Sequence, residues 1–182
     1  SIKAKEGAEM SAESRPNFKP KIREKTWNPK VESSLFEKWQ SEGIFEFDEK
    51  SRKPLFSIDT PPPYVNTPVH IGQAYTYAWM DMFARFRRMV GFNILFPMGL
   101  DKNGLPVEVQ TEKTFNISMH ETPREEFLEK CEQVLKESGD ISLDTFRKLG
   151  LSCNGWSVEH KIGGRYETDD SEYRRLTQET FI

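Results

Sequence analysis

The sequence is poor in cysteine and contains no long apolar run. Its 182 residues include only two cysteines, Cys131 and Cys153, which are far apart and outside any CxxC arrangement. This spacing indicates neither a disulfide framework nor a zinc site, and it favours a reducing compartment such as the cytoplasm. No stretch approaches the roughly 20 apolar residues of a membrane-spanning helix, and the first residues lack the apolar core of a signal peptide. We therefore expect a cytoplasmic protein with no membrane association.

An excess of positive charge is also missing. The formal net charge is -3, with 30% charged and 36% hydrophobic residues. This balance is typical of a soluble domain and gives no sign of the overall basicity that many nucleic-acid-binding proteins have. RNA could still be bound by a local surface or by a region outside this chain.

The first part of the chain predicts a flexible arm followed by a helix. Residues 1–26 are polar, charged and interrupted by proline, which is typical of a mobile segment. In "NPKVESSLFEKWQSEG", Asn28 is the expected N-cap, Pro29 the first helical residue and Gly43 the terminator. The apolar residues fall on one stripe, so we expect the helix to pack through Val31, Leu35, Phe36 and Trp39.

The middle of the chain predicts a βαβ unit. A short strand, "LFSID" at residues 55–59, precedes a helix in "QAYTYAWMDMFARFRRMV", which Gly91 ends, and a second apolar strand, "FNILF", follows. The helix is marked by apolar residues at helical spacing, namely Trp79, Met82, Phe83, Phe86, Met89 and Val90. Such units favour a doubly wound α/β sheet, in which ligands bind at the carboxyl ends of the strands.

The second half predicts two further helices around a winding connection. In "TPREEFLEKCEQVLKESG", Thr122 and Glu125 form a capping box, Pro123 is the first helical residue and Gly139 is the terminator. The expected buried face contains Phe127, Cys131, Val134 and Leu135, which makes the Cys131 thiol a core group rather than a nucleophile. Residues 140–168 are expected to be irregular, and "DSEYRRLTQETFI" begins like a capped helix. Two or three strands are too few for a complete doubly wound sheet.

The segment between the first strand and the helix, "TPPPYVNTPVHIGQ", has the composition of a nucleotide-binding loop. The proline run lacks N–H donors, so its carbonyls are free to face a cationic group such as an ammonium. A helix start offers N–H groups and the positive end of the helix dipole to phosphate, to which His70 and Gln73 can add donors. Gly72 has no Cβ and lets a flat base approach the backbone. A single histidine here is more often a cap or a solvated loop residue, so the prediction depends on the combination.

A second loop, "PMGLDKNGLPVE", places Asp101 just after the other strand of the unit. Because both loops leave the same edge of the sheet, the carboxylate would face the proline carbonyls and select an α-amino group. The alternative is an ordinary turn aspartate, since D-K-N-G is also favourable turn chemistry.

Together these residues resemble the class I aminoacyl-tRNA synthetases of the valyl, isoleucyl and leucyl group. Within the group, "IDTPPPY", "DKNGLPVEVQTEK", "TPREEFLEKC" and "EYRRLTQETFI" are most similar to archaeal-type valyl-tRNA synthetases. The resemblance covers residues 28–182. It implies the first half of a doubly wound, Rossmann-like catalytic domain over residues 27–182, with an N-terminal helical extension and an end near the start of the editing insertion.

The resemblance also implies roles for individual residues. The HIGH motif of the family falls on residues 70–73, where His70 and the fourth residue would meet the ATP phosphates and Gly72 would lie under adenine. Gln73 departs from the commoner histidine at the fourth position, and its neutral amide can still donate to phosphate.

The amino-acid pocket of the family falls on the two loops. Pro61 and Pro62 would line the pocket, and Asp101 would take the α-ammonium of the substrate.

The reaction implied is activation of an amino acid, valine in the closest subgroup, with ATP and Mg²⁺, followed by transfer to tRNA. The lysine-rich KMSKS loop, the editing domain and the anticodon-binding helices have no counterpart in the sequence, so the downstream half of the catalytic domain is an expected partner. The alternatives are isoleucyl or leucyl specificity, a nucleotidylyltransferase with a similar histidine motif, and a non-catalytic half-domain that only binds a partner.

Overall fold

The computed structural model describes residues 25–156, 164–168 and 170–181, so nearly all of the predicted N-terminal arm lies outside the described residues. Five helices and four short strands are present in this part of the chain. In chain order they are α1 (Glu32–Ser41), β1 (Leu55–Ser57), α2 (Ile71–Met89), β2 (Asn93–Leu95), β3 (Gly99–Leu100), α3 (Leu105–Phe115), α4 (Arg124–Lys148), β4 (Tyr166–Glu167) and α5 (Ser171–Phe181). None of the helices formed by the described residues is long and apolar enough to cross a membrane.

The predicted βαβ unit is confirmed. Strands β1 and β2 are parallel, with Phe56 opposite Ile94, and α2 is the connection between them. After β2 the chain makes two further parallel pairings. Pro97 forms a bridge with Asn154, and β3 pairs with β4. Residues 93–100 therefore contact three separate segments in turn, and the two loops of interest leave on the same side.

The core consists of two apolar clusters. The larger lies around Phe96 and Phe146 and joins α1, α2 and α4 to the strands; the smaller joins β3 to α3 and α4 around Leu100. Cys131 is buried in the smaller cluster, as predicted. Cys153 is fully buried in the larger one, and burial raises the pKa of its thiol far above the usual range. A thiol held in this protonated form is unreactive.

Helix α4 differs from the prediction at both ends. It begins after Pro123, which is itself the N-cap, and no side chain caps it, so the predicted capping box of Thr122 and Glu125 is wrong. It also continues through Gly139 to Lys148. Gly139 is buried within the helix, and a Cβ at this position would make only an ordinary van der Waals contact, at 3.9 Å from Leu100 Cδ1. The predicted buried face of α4 is confirmed.

The two other predicted helices are present with small differences. The Asn28 side chain accepts a hydrogen bond from Lys30 N, as an N-cap does, but the first turn is a 3-10 turn and α1 proper follows it. Gly43 has φ of +60°, a conformation that favours glycine at a helix end. At α5, Asp170 accepts a hydrogen bond from Tyr173 N and supplies the expected cap.

The apolar residues that mark the period of α2 do not form its buried face. The helix packs on the sheet through Tyr77, Asp81 and Ala84. The opposite face exposes large side chains along its whole length, from Ile71 and Tyr75 to Trp79, Met82, Phe83, Phe86, Met89 and Val90. We call these eight residues the apolar face of α2. A contiguous apolar surface of this size is typical of a region that another polypeptide covers.

Hydrogen bonds join the buried side of α2 to Ser152, which lies in the segment after α4. Asp81 is buried and accepts hydrogen bonds from Ser152 N at 2.7 Å and from Arg85 Nε at 2.7 Å. Arg88 donates to Ser152 O at 2.7 Å. Burial lowers the pKa of Arg88 and the negative charge of Asp81 opposes this shift, so the guanidinium and the carboxylate stabilise each other. The network sets the position of the helix relative to the strands.

Tyr77 connects α2 to the proline segment. Its ring is 5% exposed and packs on Phe96 and Phe146, while its hydroxyl donates to Pro61 O at 3.2 Å. Desolvation by burial raises the pKa of Tyr77 to about 12. The hydroxyl is therefore a hydrogen-bond donor at every physiological pH.

We expect Tyr77→Phe to lower the free energy of unfolding by about 1 kcal/mol at pH 7, because the Pro61 carbonyl loses its donor. Since the folded state resists ionisation of Tyr77, the wild-type chain should lose stability as the pH rises from the ordinary tyrosine value of about 10 to about 12. The variant lacks this loss. Urea unfolding from pH 7 to 12 measures both effects, and parallel pH curves for the two proteins would contradict this account.

Candidate functional site

The proline segment and the Asp101 loop lie side by side at the carboxyl edge of the sheet. Tyr64 and Asp101 form a parallel bridge, in which Asp101 N donates to Pro63 O at 2.8 Å and Val65 N donates to Asp101 O at 3.2 Å. The prediction that both loops leave the same edge is therefore confirmed. The backbone on both sides of the candidate site is fixed by hydrogen bonds.

The proline side of the site is held by close packing. A Cβ added to Gly99 would lie 2.9 Å from Pro62 Cβ, so only glycine allows β3 to approach the ring this closely. The Pro61 carbonyl is not entirely free, because it accepts the Tyr77 hydroxyl. A carbonyl oxygen has two lone pairs, so Pro61 can still accept a second donor.

The Asp101 carboxylate has one occupied and one available oxygen. Oδ1 accepts hydrogen bonds from Asn103 N at 3.1 Å and from the Thr168 hydroxyl at 3.0 Å. The first of these is the Asx-turn contact that an ordinary turn aspartate makes. Among the described residues, none donates to Oδ2. Asp101 thus stabilises its own turn and still offers an oxygen to a cation.

His70 caps α2 with its own side chain. Its Nδ1 accepts hydrogen bonds from Gly72 N at 3.1 Å and from Gln73 N at 3.3 Å. Two of the N–H groups that a phosphate could have used are therefore satisfied within the protein. Because Nδ1 is an acceptor, the hydrogen of the neutral ring lies on Nε2. The exposed imidazole can donate through this nitrogen to an anion in front of the helix.

Gly72 makes this cap possible. A Cβ at Gly72 would lie 3.0 Å from Cε1 of the His70 ring and 3.1 Å from its Nδ1. A side chain there would press on the imidazole and weaken both hydrogen bonds. The half-buried Gln73 follows in the first turn of α2, so the predicted residues 70–73 are together at one helix start.

Two residues of the site were missed from the sequence. Tyr77 holds the Pro61 carbonyl, but in the sequence it is only one of many aromatic residues in α2. Thr168 holds the Asp101 carboxylate from 67 residues away. The only signal for Thr168 is a hydroxyl residue directly after a short strand, which is too common to identify a site.

The described residues contain no cluster of three or more His, Cys, Asp or Glu side chains that could hold a metal ion. The groups at the start of α2 are hydrogen-bond donors, which suit the oxygens of a phosphate rather than a cation.

These features are those of part of a doubly wound α/β domain with a candidate ligand site at the carboxyl ends of its strands. The chain belongs to the class I tRNA synthetases (I, L, M and V), whose family pattern it matches over residues 34–179. This result confirms the resemblance to the group that the motifs indicated.

Individual relatives agree with this assignment. The chain is 44% identical to the valine–tRNA ligase of Pyrobaculum aerophilum over 158 residues, which are 86% of this chain and 19% of that protein. It is 38% identical to the valine–tRNA ligase of Methanocaldococcus jannaschii, covering 87% of this chain and 17% of that protein. The chain therefore spans less than a fifth of the length of these curated relatives.

A solved structure has the same fold. The chain resembles a protein in the crystal structure of the LeuRS-tRNA-LeuAMS ternary complex from Agrobacterium radiobacter K84, with a TM-score of 0.67 and 21% identity. The match covers 86% of this chain and 17% of the other, which confirms the predicted Rossmann-like α/β fold for this region.

The capping role of His70 can be tested by two substitutions. We expect His70→Ala to lower the free energy of unfolding by about 1 kcal/mol, because two N–H groups at the start of α2 lose their acceptor. His70→Asn restores a short acceptor at the N-cap and should remain within a few tenths of a kcal/mol of the wild type. Urea unfolding of the three proteins at pH 7 checks this, and equal losses in both variants would mean that the cap contributes nothing.

Proposed function

We propose that the chain is part of a valine–tRNA ligase, in which it supplies the first half of the catalytic site. The enzyme activates valine with ATP to valyl-adenylate and transfers the valyl group to tRNA. The observation that carries the proposal is the backbone pairing of the proline segment with Asp101, next to a helix start capped by His70. The identities of 38% and 44% to valine–tRNA ligases support valine within the group.

The start of α2 is the proposed site of the ATP phosphates. His70 donates through Nε2 and Gln73 through its amide, while Gly72 leaves the backbone open to the adenine ring. Because Nδ1 is engaged in the cap, the ring is oriented before ATP binds. Such preorganised donors stabilise developing phosphoryl charge without reorganisation at the moment of reaction. Mg²⁺ would enter with the triphosphate and neutralise part of its charge.

The paired proline and Asp101 loops are the proposed amino-acid site. The free Oδ2 of Asp101 takes the α-ammonium of valine, and Pro61 and Pro62 form the wall beside it. A carboxylate and carbonyl oxygens match the three N–H groups of an ammonium, whereas a neutral substrate would leave these acceptors unpaired. The pairing of the two loops fixes the distance between these groups.

Chemistry at this site needs no nucleophile from the protein. The carboxylate of bound valine attacks the α-phosphorus of ATP, the bond to the bridging oxygen breaks, and pyrophosphate leaves. The ribose hydroxyl at the end of the tRNA then attacks the carbonyl carbon of valyl-adenylate and displaces AMP. The rate comes from holding the reactants in line and from stabilising charge, which are the two tasks that the described residues can perform.

The site requires a second half, which we propose to be the downstream part of a longer polypeptide. Strand β1 pairs only with β2 among the described strands, and Leu55 in it is largely exposed. The apolar face of α2 offers a large surface for a covering element. The matched valine–tRNA ligases are much longer than this chain, so we propose that such a downstream part pairs with β1 and covers the apolar face of α2. The two buried, free cysteines suit the reducing cytoplasm, where we place the protein with its tRNA.

Amino-acid specificity tests the proposal directly. We expect the natural full-length polypeptide to bind a non-hydrolysable valyl-adenylate analogue roughly 10- to 200-fold more tightly than the isoleucyl analogue, the effect of about one methylene group. Calorimetric titration with the valyl, isoleucyl, leucyl and threonyl analogues measures the order. Preference for the leucyl or isoleucyl analogue would move the protein to another member of the group, and failure to bind any of them would contradict a synthetase function.

The requirement for a second half can be tested with the apolar face of α2. We expect the isolated 182-residue chain to charge tRNA at least about 10²-fold more slowly than the chain mixed with a separately expressed downstream half, because donors to the phosphates are missing. Phe83→Lys should weaken association of the two halves, since Phe83 is 56% exposed on that face. The matched control is Leu128→Lys on α4, which is 49% exposed and outside it.

Analytical ultracentrifugation and transfer of labelled valine to tRNA read out association and activity separately. Robust charging by the isolated chain, or equal effects of the two lysine substitutions, would contradict the proposed role of the apolar face.

A further inference from the structure

The Asp101 carboxylate is held by a residue that is distant in sequence and directly follows another strand, β4. The backbone of Asp101 is fixed on both sides by its pairing with Pro63 and Val65. Only the side-chain torsions then decide where Oδ2 points. The contact that restrains them from outside the local turn is the hydrogen bond of 3.0 Å from the Thr168 hydroxyl to Oδ1.

The Thr168 hydroxyl has a defined direction. Its oxygen accepts a hydrogen bond from Lys102 N at 2.9 Å, and a hydroxyl has a single hydrogen to donate. With its acceptor side turned to Lys102, the hydroxyl donates to Asp101 Oδ1. The hydrogen bonds therefore run from Lys102 N to the Thr168 hydroxyl and from this hydroxyl to Asp101 Oδ1. The negative charge of the carboxylate strengthens the second bond.

Thr168 is itself anchored firmly. Its N–H donates to Leu100 O at 3.2 Å, and its carbonyl accepts from Asn103 Nδ2 at 3.0 Å. The preceding residue, Glu167, forms ion pairs with Lys102 and with Arg165, the latter at 3.0 Å, and the side chains of Glu167 and Arg165 are each 13% exposed. A hydroxyl on a support of this kind can restrain a carboxylate because it does not follow the motion of that carboxylate.

We propose that Thr168 is a positioning residue for amino-acid binding. By holding Oδ1, it turns Oδ2 of Asp101 toward the proline segment, where the α-ammonium of the substrate is bound. This inference rests on the proposed function, in which Asp101 receives that ammonium. The observation that carries it is that Oδ1 of Asp101 accepts two hydrogen bonds, whereas none of the described residues donates to Oδ2.

The test compares Thr168→Val, Thr168→Ser and Asp101→Asn in the natural full-length polypeptide. Valine-dependent pyrophosphate exchange gives KM for valine and for ATP separately. We expect Thr168→Val to raise KM for valine about 10-fold, the effect of losing one hydrogen bond to a charged group, and to leave KM for ATP within about twofold. Thr168→Ser keeps the hydroxyl and should restore the KM of the wild type. Asp101→Asn should raise KM for valine at least as much.

A matched control separates positioning from simple support of the fold. Asn103→Ala removes the bond to the Thr168 carbonyl but leaves the hydroxyl and the carboxylate intact, so KM for valine should stay within about twofold of the wild type. Circular dichroism checks folding. Should Thr168→Val fail to fold, Thr168→Ala removes the same hydroxyl and is held to the same expectation.

The proposed amino-acid site and the proposed role of Thr168 can be disproved separately. An unchanged KM for valine in Asp101→Asn would contradict the proposed amino-acid site itself. A raised KM in Asp101→Asn with an unchanged KM in Thr168→Val would overturn only the role of Thr168. Equal increases in Thr168→Val and Asn103→Ala would also overturn it, since both would then act by loosening the loop.

Discussion

The candidate site depends on the backbone hydrogen bonds that hold the proline segment beside Asp101. Three consecutive prolines have no N–H groups, so the segment can be fixed only through its carbonyls and through the first N–H groups that follow. The structure uses both, with Asp101 N on Pro63 O and Val65 N on Asp101 O. This pairing places Asp101 of the second loop beside the proline segment, and the hydrogen bond from the Tyr77 hydroxyl to Pro61 O joins the same segment to α2. The proposed ammonium and phosphate sites are thereby connected through the hydrogen bonds between the two loops and α2.

Helix α2 has two faces with different tasks. Its inner face is fixed by Tyr77, Ala84 and the ion pair of the buried Asp81 with the half-buried Arg85, which together set where His70 lies relative to β1. Removal of Arg85 is costly, because it leaves the buried Asp81 carboxylate with less compensation of its charge. The apolar face on the other side has no partner among the described residues. In the proposed enzyme, the helix therefore joins the half of the site that this chain forms to the half that we propose a downstream segment supplies.

Much of this organisation could be predicted from the sequence, because the relevant signals are local. Proline, glycine and hydrophobic period mark the βαβ unit and the start of α2, and strand direction alone predicts that Asp101 meets the proline segment. The errors arose where local and tertiary effects compete. Gly139 resembles a helix terminator, but it lies inside α4, where Ser142 and Phe146 continue the buried face beyond it. Thr168 could not be found, because its role depends on the parallel pairing of two-residue strands that leave almost no pattern.

The central claim is that the paired loops receive the α-ammonium of an amino acid while the start of α2 receives the phosphate. The most direct measurement is a crystal structure of the natural full-length polypeptide with a non-hydrolysable valyl-adenylate analogue. The account predicts the ammonium nitrogen within about 3 Å of Asp101 Oδ2 and the phosphate mimic at a similar distance from His70 Nε2. An ammonium bound away from Asp101, with the carboxylate engaged only in its own turn, would contradict it.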